Sequence, residues 1–561
     1  MASKTEMAII ALVIIAIIVP SSISAYMIGA INERLANIEE LLTPTPPVTP
    51  TKILRFGEAW PTFIDPAVGS DYSSSVCHVN LYDPLVFPTT TGDVKPWIAT
   101  NWTVSEDGLT WNFTIKSGVK FHSGRELTSE DVLFSMNRTV RIGEGFSYLF
   151  SPYLNMTASK TIGNYTVQFK LKKPFGPFLT TLVRLYIVDK QEVMAHIVQG
   201  GTYNYPPDGD LARNWLLTHD AGSGPYKVKE VVLEDHVYME KFGNYWATMK
   251  PNSPDEFRVL ALAVPTTERT LMLKKELEIS SQWLPDEVLD ALDKGGMVIS
   301  SFPGGDMFYY MIHCRKPPTD DVHVRRALAY AMDYEAVIEE LYTGSTLAKC
   351  ILPISLPGAT ELSMPRKNVT RALEELQQST YWPDIRDHPE NYVIEVHWCA
   401  EVPAEERVAM LFAECVEAIG LRVSVVKTPW GKMIDEMADQ DLSPHIETIF
   451  VAAHYGEAGS LIESRYHSKS APTWEQNEWL LNATIDAMIE DALSTVNRTE
   501  RFEKYAELER ILLDMCPSLF MFDHMEKHAY QPYVIWPAAL GEFIPVMGYN
   551  VDGRTIEIIS S

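Results

Sequence analysis

Two periodic patterns of apolar and polar residues alternate along most of this chain. Apolar and polar residues alternate one by one in TWNFTIK (110–116) and VQFKLK (167–172), which is typical of half-buried β-strands. Residues 405–419 carry apolar side chains at helical spacing, and Gly420 ends that pattern directly before the strand-like run LRVSVVK. Because a helix followed at once by a strand favours α/β packing, we predict an α/β fold.

The first residues follow a different pattern. Residues 7–31 carry no charge and are almost continuously apolar up to Val19, and about 20 apolar residues suffice for a helix to cross a bilayer core. Two interpretations are open: an uncleaved transmembrane anchor, which we favour, and a secretory signal cleaved near Ser24. Lys4 within residues 1–6 predicts that this short N-terminus is cytoplasmic.

A stalk and a tether are predicted after this segment. Apolar residues recur at helical spacing from Ile31 to Leu42, which predicts a short stalk helix over 32–42. Residues 43–52 are rich in proline and threonine, and such a composition favours an extended spacer. The globular body is therefore expected to begin near Ile53, outside the cell and attached to the cell membrane by a single N-terminal pass.

Composition narrows the classes of function. With 561 residues the chain is long enough for more than one domain, and its net charge of −27 predicts that it has no nucleic-acid partner. The six cysteines contain no CxxC pair, so we predict no zinc or redox motif, and we favour buried free thiols over disulfides.

Sequons of the form N-x-S/T are more frequent than chance predicts, which favours a glycosylated, extracellular body. The eight candidate asparagines are Asn101, Asn112, Asn137, Asn155, Asn164, Asn368, Asn482 and Asn497.

One stretch is more specific than composition. Residues 118–138, GVKFHSGRELTSEDVLFSMNR, combine a turn at Gly124 with a helix start. Thr128 is a favourable N-cap, and Asp131 three residues later completes a capping box. The stretch resembles the signature of the family 5 solute-binding proteins, the extracytoplasmic receptors of peptide, nickel and oligosaccharide ABC transporters.

The resemblance continues in the same order along the chain and covers most of residues 53–545. Several ordered blocks make a more specific match than a single motif does. The blocks that carry it are LYDPLV (81–86), PWIATNWTVSEDGLTWNFTIKSGVKFHSG (96–124), GSGPYKV (222–228), GNYW (243–246) and DDVHVRRALAYAMDYEAVIEELYTG (320–344).

The resemblance implies a two-lobed, periplasmic-binding-protein-like α/β fold of the large class, with an extra subdomain and a ligand held between the lobes. We interpret FYYMIHC (308–314) and SLFMFDH (518–524) as the two crossing hinge segments. Gly304 and Gly305, beside the first, are expected to absorb hinge rotation. The expected bounds are 53–306 plus 519–561 for lobe one and 307–518 for lobe two.

The ligand site is where this chain departs from the family pattern. In the family a lobe-two motif like ADYxDP faces the cleft, and in peptide-binding members its first aspartate pairs with the peptide α-ammonium. The run here is AAHYGEAGSLIES (452–464), with His454 in place of that aspartate. A neutral histidine is a poor counter-ion, so we favour a hydroxyl-rich ligand stacked on aromatic rings, although Glu457 or another acid could substitute.

The expected ligand-binding residues are aromatic or polar side chains in loops that the resemblance places at the cleft. For the tryptophans among them, a position in the core is the alternative. They are Trp60, Trp398, Trp430, His454, Tyr455 and Glu457.

Catalytic and metal motifs are missing from the sequence, which contains no GxSxG, HExxH, Walker A or GxGxxG pattern. His524 and His528 have helical spacing, but the local structure is expected to be extended, so we predict no metal site. We also expect no cofactor.

The predicted function is that of an extracellular receptor of an ABC importer. It captures an oligosaccharide or oligopeptide and delivers it to the membrane permease and, through the permease, to cytoplasmic ATPase subunits. Two alternatives stay open: an extracellular hydrolase of peptides or glycans, and a structural cell-surface protein.

Overall fold

The computed structural model describes residues 51–201, 203–262 and 264–559. The predicted anchor or signal segment (7–31), the stalk (32–42) and all but the end of the tether therefore lie outside the described residues. Among the helices that are described, none has the length and apolar character that a membrane crossing requires.

The strands of the described residues are numbered in chain order. They are β1 (Ile53–Glu58), β2 (Val86–Pro88), β3 (Val94–Pro96), β4 (Ala99–Val104), β5 (Thr110–Ile115), β6 (Lys160–Thr161), β7 (Thr166–Lys170), β8 (Tyr226–Val232), β9 (His236–Lys241), β10 (Glu256–Ala261), β11 (Val298–Ile299), β12 (Phe302–Ile312), β13 (Thr346–Leu347), β14 (Val393–Cys399), β15 (Arg422–Thr428), β16 (Ile446–Ala452), β17 (Ser518–Glu526), β18 (Ala529–Tyr530), β19 (Val534–Ile535) and β20 (Glu557–Ile558).

The α-helices are likewise numbered along the chain, and short 3₁₀ turns connect several of them. They are α1 (Tyr72–Leu81), α2 (Ser129–Ile142), α3 (Phe178–Thr181), α4 (Lys190–Ala195), α5 (Pro265–Leu273), α6 (Asp286–Lys294), α7 (Val322–Ala331), α8 (Tyr334–Ala336), α9 (Val369–Gln378), α10 (Asp384–Asp387), α11 (Ala404–Glu417), α12 (Trp430–Met437), α13 (Gly459–Tyr466), α14 (Ala483–Ser494) and α15 (Arg498–Met515).

One lobe is built on the sheet β1-β10-β9-β8, in which β1 and β10 are parallel and the other pairs are antiparallel. Leu54, Phe56, Phe257 and Val259 alternate along β1 and β10 and are fully buried. This alternation places one face of the sheet in the core of the lobe.

An additional sheet, β4-β5-β7-β6, forms an antiparallel subdomain beside this lobe. It contains both strands predicted from one-by-one alternation, observed as Thr110–Ile115 and Thr166–Lys170. Helix α2 contacts its strands β6 and β7, and the predicted capping box of Thr128 and Asp131 is present at the start of this helix. The sequence predictions for these elements are therefore confirmed.

The other lobe is built on the six-stranded sheet β13-β17-β12-β16-β14-β15. Its β14 pairs in parallel with β15 and β16, whereas β12 is antiparallel to both of its neighbours. The predicted helix and strand around Gly420 are observed as α11 and β15, and Val408 and Phe412 of α11 are fully buried.

Strands β12 and β17 connect the two lobes. Their outer ends lead to β11 and β18, which pair with each other next to the first sheet, and their inner parts lie in the six-stranded sheet. The pairing of β12 with β17 is irregular between Pro303 and Met307, and Gly305 within this irregularity has a φ of 75°. A positive φ strains residues that carry a Cβ, so glycine is favoured there.

All six cysteines are free, and five of them are buried. Burial raises the pKa of Cys314 to about 11 and that of Cys350 to about 12. The preference for buried free thiols over disulfides is confirmed.

The eight sequon asparagines are all exposed or partly exposed. Three of them, Asn368, Asn482 and Asn497, are N-cap residues whose side chains accept backbone N–H groups of α9, α14 and α15. Helix capping explains an asparagine at these three positions without glycosylation, and glycosylation at all eight stays a prediction.

Candidate ligand-binding site

A cavity of about 910 Å³ lies where β12 and β17 pass from one lobe to the other. The N-terminal end of α1 lines it from one lobe, and β16, α12 and α13 line it from the other. Its volume is in the range of pockets that enclose small-molecule ligands. Its polar side chains form two groups, one around Arg465 and one around Asp306.

The group around Arg465 lies on α13 and on the loops directly before and after it. Arg465 is 2% exposed, and its Nη1 donates to the backbone oxygen of Glu475 at 2.9 Å while its Nη2 lies 3.4 Å from the Glu475 carboxylate. His454 Nε2 lies 3.6 Å from the other oxygen of that carboxylate. Burial would raise the pKa of Glu475, but Arg465 and His454 outweigh it and lower the pKa to about 2. Glu475 is thus held as an anion.

A second pair extends this group toward the rim. Lys469 Nζ lies 2.9 Å from Glu463 Oε1, and the Tyr153 hydroxyl donates to the same oxygen at 2.6 Å. Both cations of this wall, Arg465 and Lys469, therefore have a carboxylate partner within the protein.

The group around Asp306 lies on the crossing strands. Asp306 Oδ2 is 3.0 Å from Nδ1 of His524, and Glu526 Oε1 accepts from the Tyr72 hydroxyl at 2.7 Å and lies 2.8 Å from His528 Nε2. Burial lowers the pKa of both histidines, but the adjacent carboxylates outweigh it and raise the pKa above its usual value.

In each of these two carboxylates, one oxygen accepts the hydrogen bonds described above and the other accepts none from the described residues. Asp306 Oδ1 is buried and has no hydrogen-bond partner among the described residues, and the hydrogen bonds of the 2%-exposed Glu526 in this part of the chain all go to Oε1. Both residues line the cavity. A Cβ on Gly304 would lie 2.3 Å from Asp306 Oδ1, so a larger residue at this position requires the Asp306 carboxylate to shift.

Aromatic rings form the remaining walls. Near Asp306, Trp283 packs edge-on against Phe450 at 5.6 Å and parallel to His524 at 6.2 Å. On the wall with Arg465, Trp430 and Trp474 meet edge to face at 5.5 Å. These rings present apolar faces and π-electron density to any ligand in the cavity.

Three of the residues predicted from sequence lie at this cavity. Trp430, His454 and Gly304 line it. Gly305 is the neighbour of Gly304 in the irregular part of β12.

The other four predicted ligand residues do not line the cavity. Trp398 is 2% exposed in the core of the six-stranded lobe. Tyr455 is fully buried in a second hydrophobic core, which also contains Phe113 of β5 and Leu508 of α15. Glu457 is 1% exposed and pairs with Arg501 at 2.6 Å, so its charge is already neutralised. Trp60 packs half-buried against the core of the first lobe. Packing in the core accounts for the two tryptophans and for Tyr455, and the ion pair accounts for Glu457.

His524 and His528, in the run DHMEKH (523–528), do not share a helix face. Residues up to Glu526 belong to the extended strand β17, as expected. His524 and His528 face different carboxylates, Asp306 and Glu526.

Sequence reasoning misses the residues with unpaired oxygens. Asp306 and Glu526 lie more than 200 positions apart, and only Asp306 is followed by an apolar run, whereas Glu526 is flanked by His524, Lys527 and His528. An acid at the start of an apolar strand is a signal for Asp306, because a buried charge needs a partner.

Comparison with known proteins places the chain in a family. Residues 93–455 match the bacterial extracellular solute-binding proteins, family 5 (middle region). The chain belongs to this family. Family 5 membership confirms the predicted solute-binding class and the prediction that the chain is not an enzyme, because the family binds solutes outside the cytoplasm.

Individual family 5 proteins resemble the chain over most of its length. It is 24% identical over 515 residues to the dipeptide-binding protein of Escherichia coli K12, covering 85% of this chain and 90% of that one. It is 23% identical over 522 residues to heme-binding protein A of Haemophilus influenzae, covering 87% and 89%.

A solved structure of the same class confirms the two-lobed fold. The periplasmic binding protein DppA of Helicobacter pylori, in complex with the peptide STSA, matches with a TM-score of 0.75 at 18% identity, covering 91% of this chain and 98% of that one. At this identity the likeness establishes the fold.

Proposed function

We propose that this protein is the receptor of an ABC importer that captures a short peptide with a free amino terminus between its lobes. It then delivers the peptide to the membrane permease and its cytoplasmic ATPase subunits. The observation that carries the proposal is the buried Asp306 Oδ1 at one end of the cavity, which has no partner among the described residues, together with the nearby Glu526, whose side-chain hydrogen bonds in this part of the chain use only Oε1.

The charge of the lining favours a cationic group on the ligand. Five carboxylates but only two Lys or Arg side chains of the described residues line the cavity, and both cations already have carboxylate partners. A buried carboxylate oxygen without a donor is costly, and an ammonium group offers three N–H donors to it. The faces of Trp283 and Phe450 beside Asp306 add a favourable surface for a cation.

Among the described residues, the region around His454 offers no free carboxylate to a peptide ammonium group. The carboxylate nearest to this histidine, Glu475, is occupied by Arg465, and the histidine backbone is fixed by Arg184 and Ser460. We therefore place the peptide ammonium on the crossing strands instead of in the lobe-two motif. The sequence favours a hydroxyl-rich ligand because His454 replaces the aspartate of the family motif. That reason no longer holds if Asp306 and Glu526 supply the carboxylates for a peptide ammonium.

A small oligosaccharide is the second candidate. The edge-to-face pair of Trp430 and Trp474 and the position of Trp283 in the lining favour it, since sugar faces stack on such rings. It does not account for the two unpartnered carboxylate oxygens.

Calorimetry with a panel of solutes separates the two candidates. The panel contains di- to tetrapeptides with free amino termini, the same peptides N-acetylated, and neutral di- to tetrasaccharides. We expect binding of free peptides only. Binding of the saccharides together with no response to any peptide would overturn the proposal.

We also propose that residues 7–31 anchor the protein in the membrane, because they are apolar and uncharged. We propose further that the sequons are glycosylated, because they are more frequent than chance predicts.

For the lobes we retain the first boundary at 306/307. Because Met307 pairs with Asp523, we propose that the return crossing follows Asp523, a few residues later than 519.

A further inference from the structure

A second polar cluster lies in the six-stranded lobe, outside the ligand cavity. It consists of His397 on β14, Glu447 on β16 and Glu436 on α12. His397 and Glu447 are direct neighbours in the parallel pairing of the two strands, so their side chains lie on the same face of the sheet. One ligand atom from each of the three residues lies within 4.8 Å of the other two.

Glu447 is the residue that requires an explanation. It is fully buried, and neither carboxylate oxygen has a hydrogen-bond partner in the part of the chain that is described. Burial raises the pKa of this carboxyl well above its usual value, and Glu436 and Glu405 raise it further. A buried acid without any partner is unfavourable in either protonation state, because even the neutral form leaves a donor and an acceptor unpaired.

The neighbouring charged groups, Glu405 and Lys432, bond to atoms other than those of Glu447. Glu405 already accepts from the Cys399 backbone at 2.8 Å and the Thr448 hydroxyl at 2.6 Å. Lys432, whose side chain is 60% exposed, bonds the outer oxygen of Glu436 at 3.0 Å. The inner oxygen of Glu436 lies 3.0 Å from Nδ1 of His397. The potential metal-ligand atoms of the three residues therefore face one another, and the Lys432 ammonium group lies on the outer side of Glu436.

We propose that His397, Glu436 and Glu447 bind a divalent transition-metal ion of the Zn²⁺ type. One imidazole nitrogen and two carboxylates form a donor set suited to such an ion, with water completing the coordination. Bonds of about 2.1 Å place tetrahedral ligands roughly 3.4 Å apart, so small torsional changes bring the three donors from their present spacing to ligand positions. The partly exposed Glu436 provides the entry path.

The site would connect to the ligand cavity through α12. This helix carries Glu436 at one end and Trp430, which lines the cavity, at the other. A metal that binds Glu436 to β14 and β16 holds the helix against the sheet, and therefore holds one aromatic wall of the cavity.

The test uses untagged full-length protein that has been stripped with a chelator and then titrated with ZnCl₂. We expect one equivalent of zinc to be retained after gel filtration, measured by mass spectrometry of the metal. We also expect a rise in Tm of about 2–3 °C at a zinc concentration 100-fold above Kd.

Two variants test the ligand assignment. His397→Gln and Glu447→Gln should each weaken zinc binding by about 100-fold or more. Glu447→Gln has a further signature, since a neutral amide does not replace the carboxylate as a zinc ligand: its Tm should not rise on addition of zinc and should lie below that of wild type when zinc is present.

His323→Gln is the matched control. His323 lies 2.8 Å from Glu375 in another histidine–glutamate pair of the same lobe, outside the His397 cluster. It should retain one zinc and the wild-type shift in Tm. The proposal is wrong if stripped wild type retains no zinc, or if His397→Gln retains as much as His323→Gln. A zinc-independent gain in Tm for Glu447→Gln would show that Glu447 is simply a buried, protonated acid.

Discussion

At the residue scale, Glu475 determines the charge of one wall of the cavity. Its carboxylate lies between Arg465, which is almost fully buried, and His454. Without it, a buried guanidinium would lose the carboxylate that faces it, and removal of one partner of a buried pair costs about 3–5 kcal/mol.

We predict a pH-dependent loss of stability in Glu475→Gln. The folded-state pKa of about 2 lies below the ordinary value of 4.5, so this carboxylate contributes stability that is present above pH 4.5 and is lost as pH falls toward 2. The contribution at pH 7 is about 3 kcal/mol. Urea unfolding should give a large difference between wild type and variant at pH 7 that narrows by pH 3. A difference independent of pH would contradict this assignment.

Asp306 and Glu526 are predicted to hold the ligand ammonium. Asp306→Asn and Glu526→Gln should each reduce the affinity for a free peptide by roughly 10- to 100-fold, since a charge-assisted hydrogen bond contributes about 1.5–3 kcal/mol. Asp435→Asn, on the exposed side of α12, is the control and should bind as wild type. Equal affinities in all three variants, measured by calorimetry, would exclude this location.

The same site predicts proton release on binding. Asp306 and Glu526 raise the pKa of His524 and His528 and so favour the protonated imidazolium forms. An incoming ammonium group competes with these imidazolium groups for the same carboxylates and favours release of their protons. Affinity should therefore rise from pH 5.5 to 7.5, below the pKa of about 8 of the peptide amine. Calorimetry in buffers of different ionisation enthalpy measures the released protons, and proton uptake would be the wrong sign.

At the element scale, we predict that the irregular pairing of β12 with β17 is the hinge. Gly305 lies in this irregularity with its φ of 75°, and the nearest atom to an added Cβ would be the Pro545 Cα at 3.4 Å. Alanine at this position is therefore limited by backbone strain of about 1 kcal/mol and not by a clash.

A comparison of two glycines tests the hinge. Gly420 after α11 has a φ of 92°, and an added Cβ would meet no atom of the described residues within 4 Å. Gly305→Ala and Gly420→Ala should each lose about 1 kcal/mol of unfolding free energy, but only Gly305→Ala should change ligand affinity. Identical effects on affinity would mean that Gly305 is an ordinary turn glycine.

Local signals make many of these elements predictable. Three predicted features depend only on neighbours within a few residues: the alternation in 110–116, the capping box of Thr128 and Asp131, and the helix end at Gly420. All three are present in the structure. The cavity lining depends on pairings such as Met307 with Asp523. No local pattern encodes such long-range contacts, so Asp306 and Glu526 escape prediction.

The same limit explains the errors among the predicted ligand residues. A motif position predicts a ligand role for Glu457, but Arg501 of a distant helix neutralises it. Trp398 and Tyr455 occupy positions that face the core. His454 and Trp430 line the cavity, and their contact with ligand stays a prediction.

At the scale of the whole molecule, the chain passes between the two lobes along β12 and β17, which favours an equilibrium between open and closed forms. A ligand shifts such an equilibrium by its difference in affinity for the two forms. Small-angle scattering should therefore show compaction when a bound peptide is added. Binding in calorimetry with unchanged scattering would contradict lobe closure.

The most direct test of the central claim is calorimetric titration of the full-length protein with one peptide in two forms, free and N-acetylated. Acetylation removes the ammonium and leaves the rest of the peptide unchanged. We predict binding of the free peptide and a loss of affinity of about 100-fold or more on acetylation. Equal affinity for both forms would contradict it.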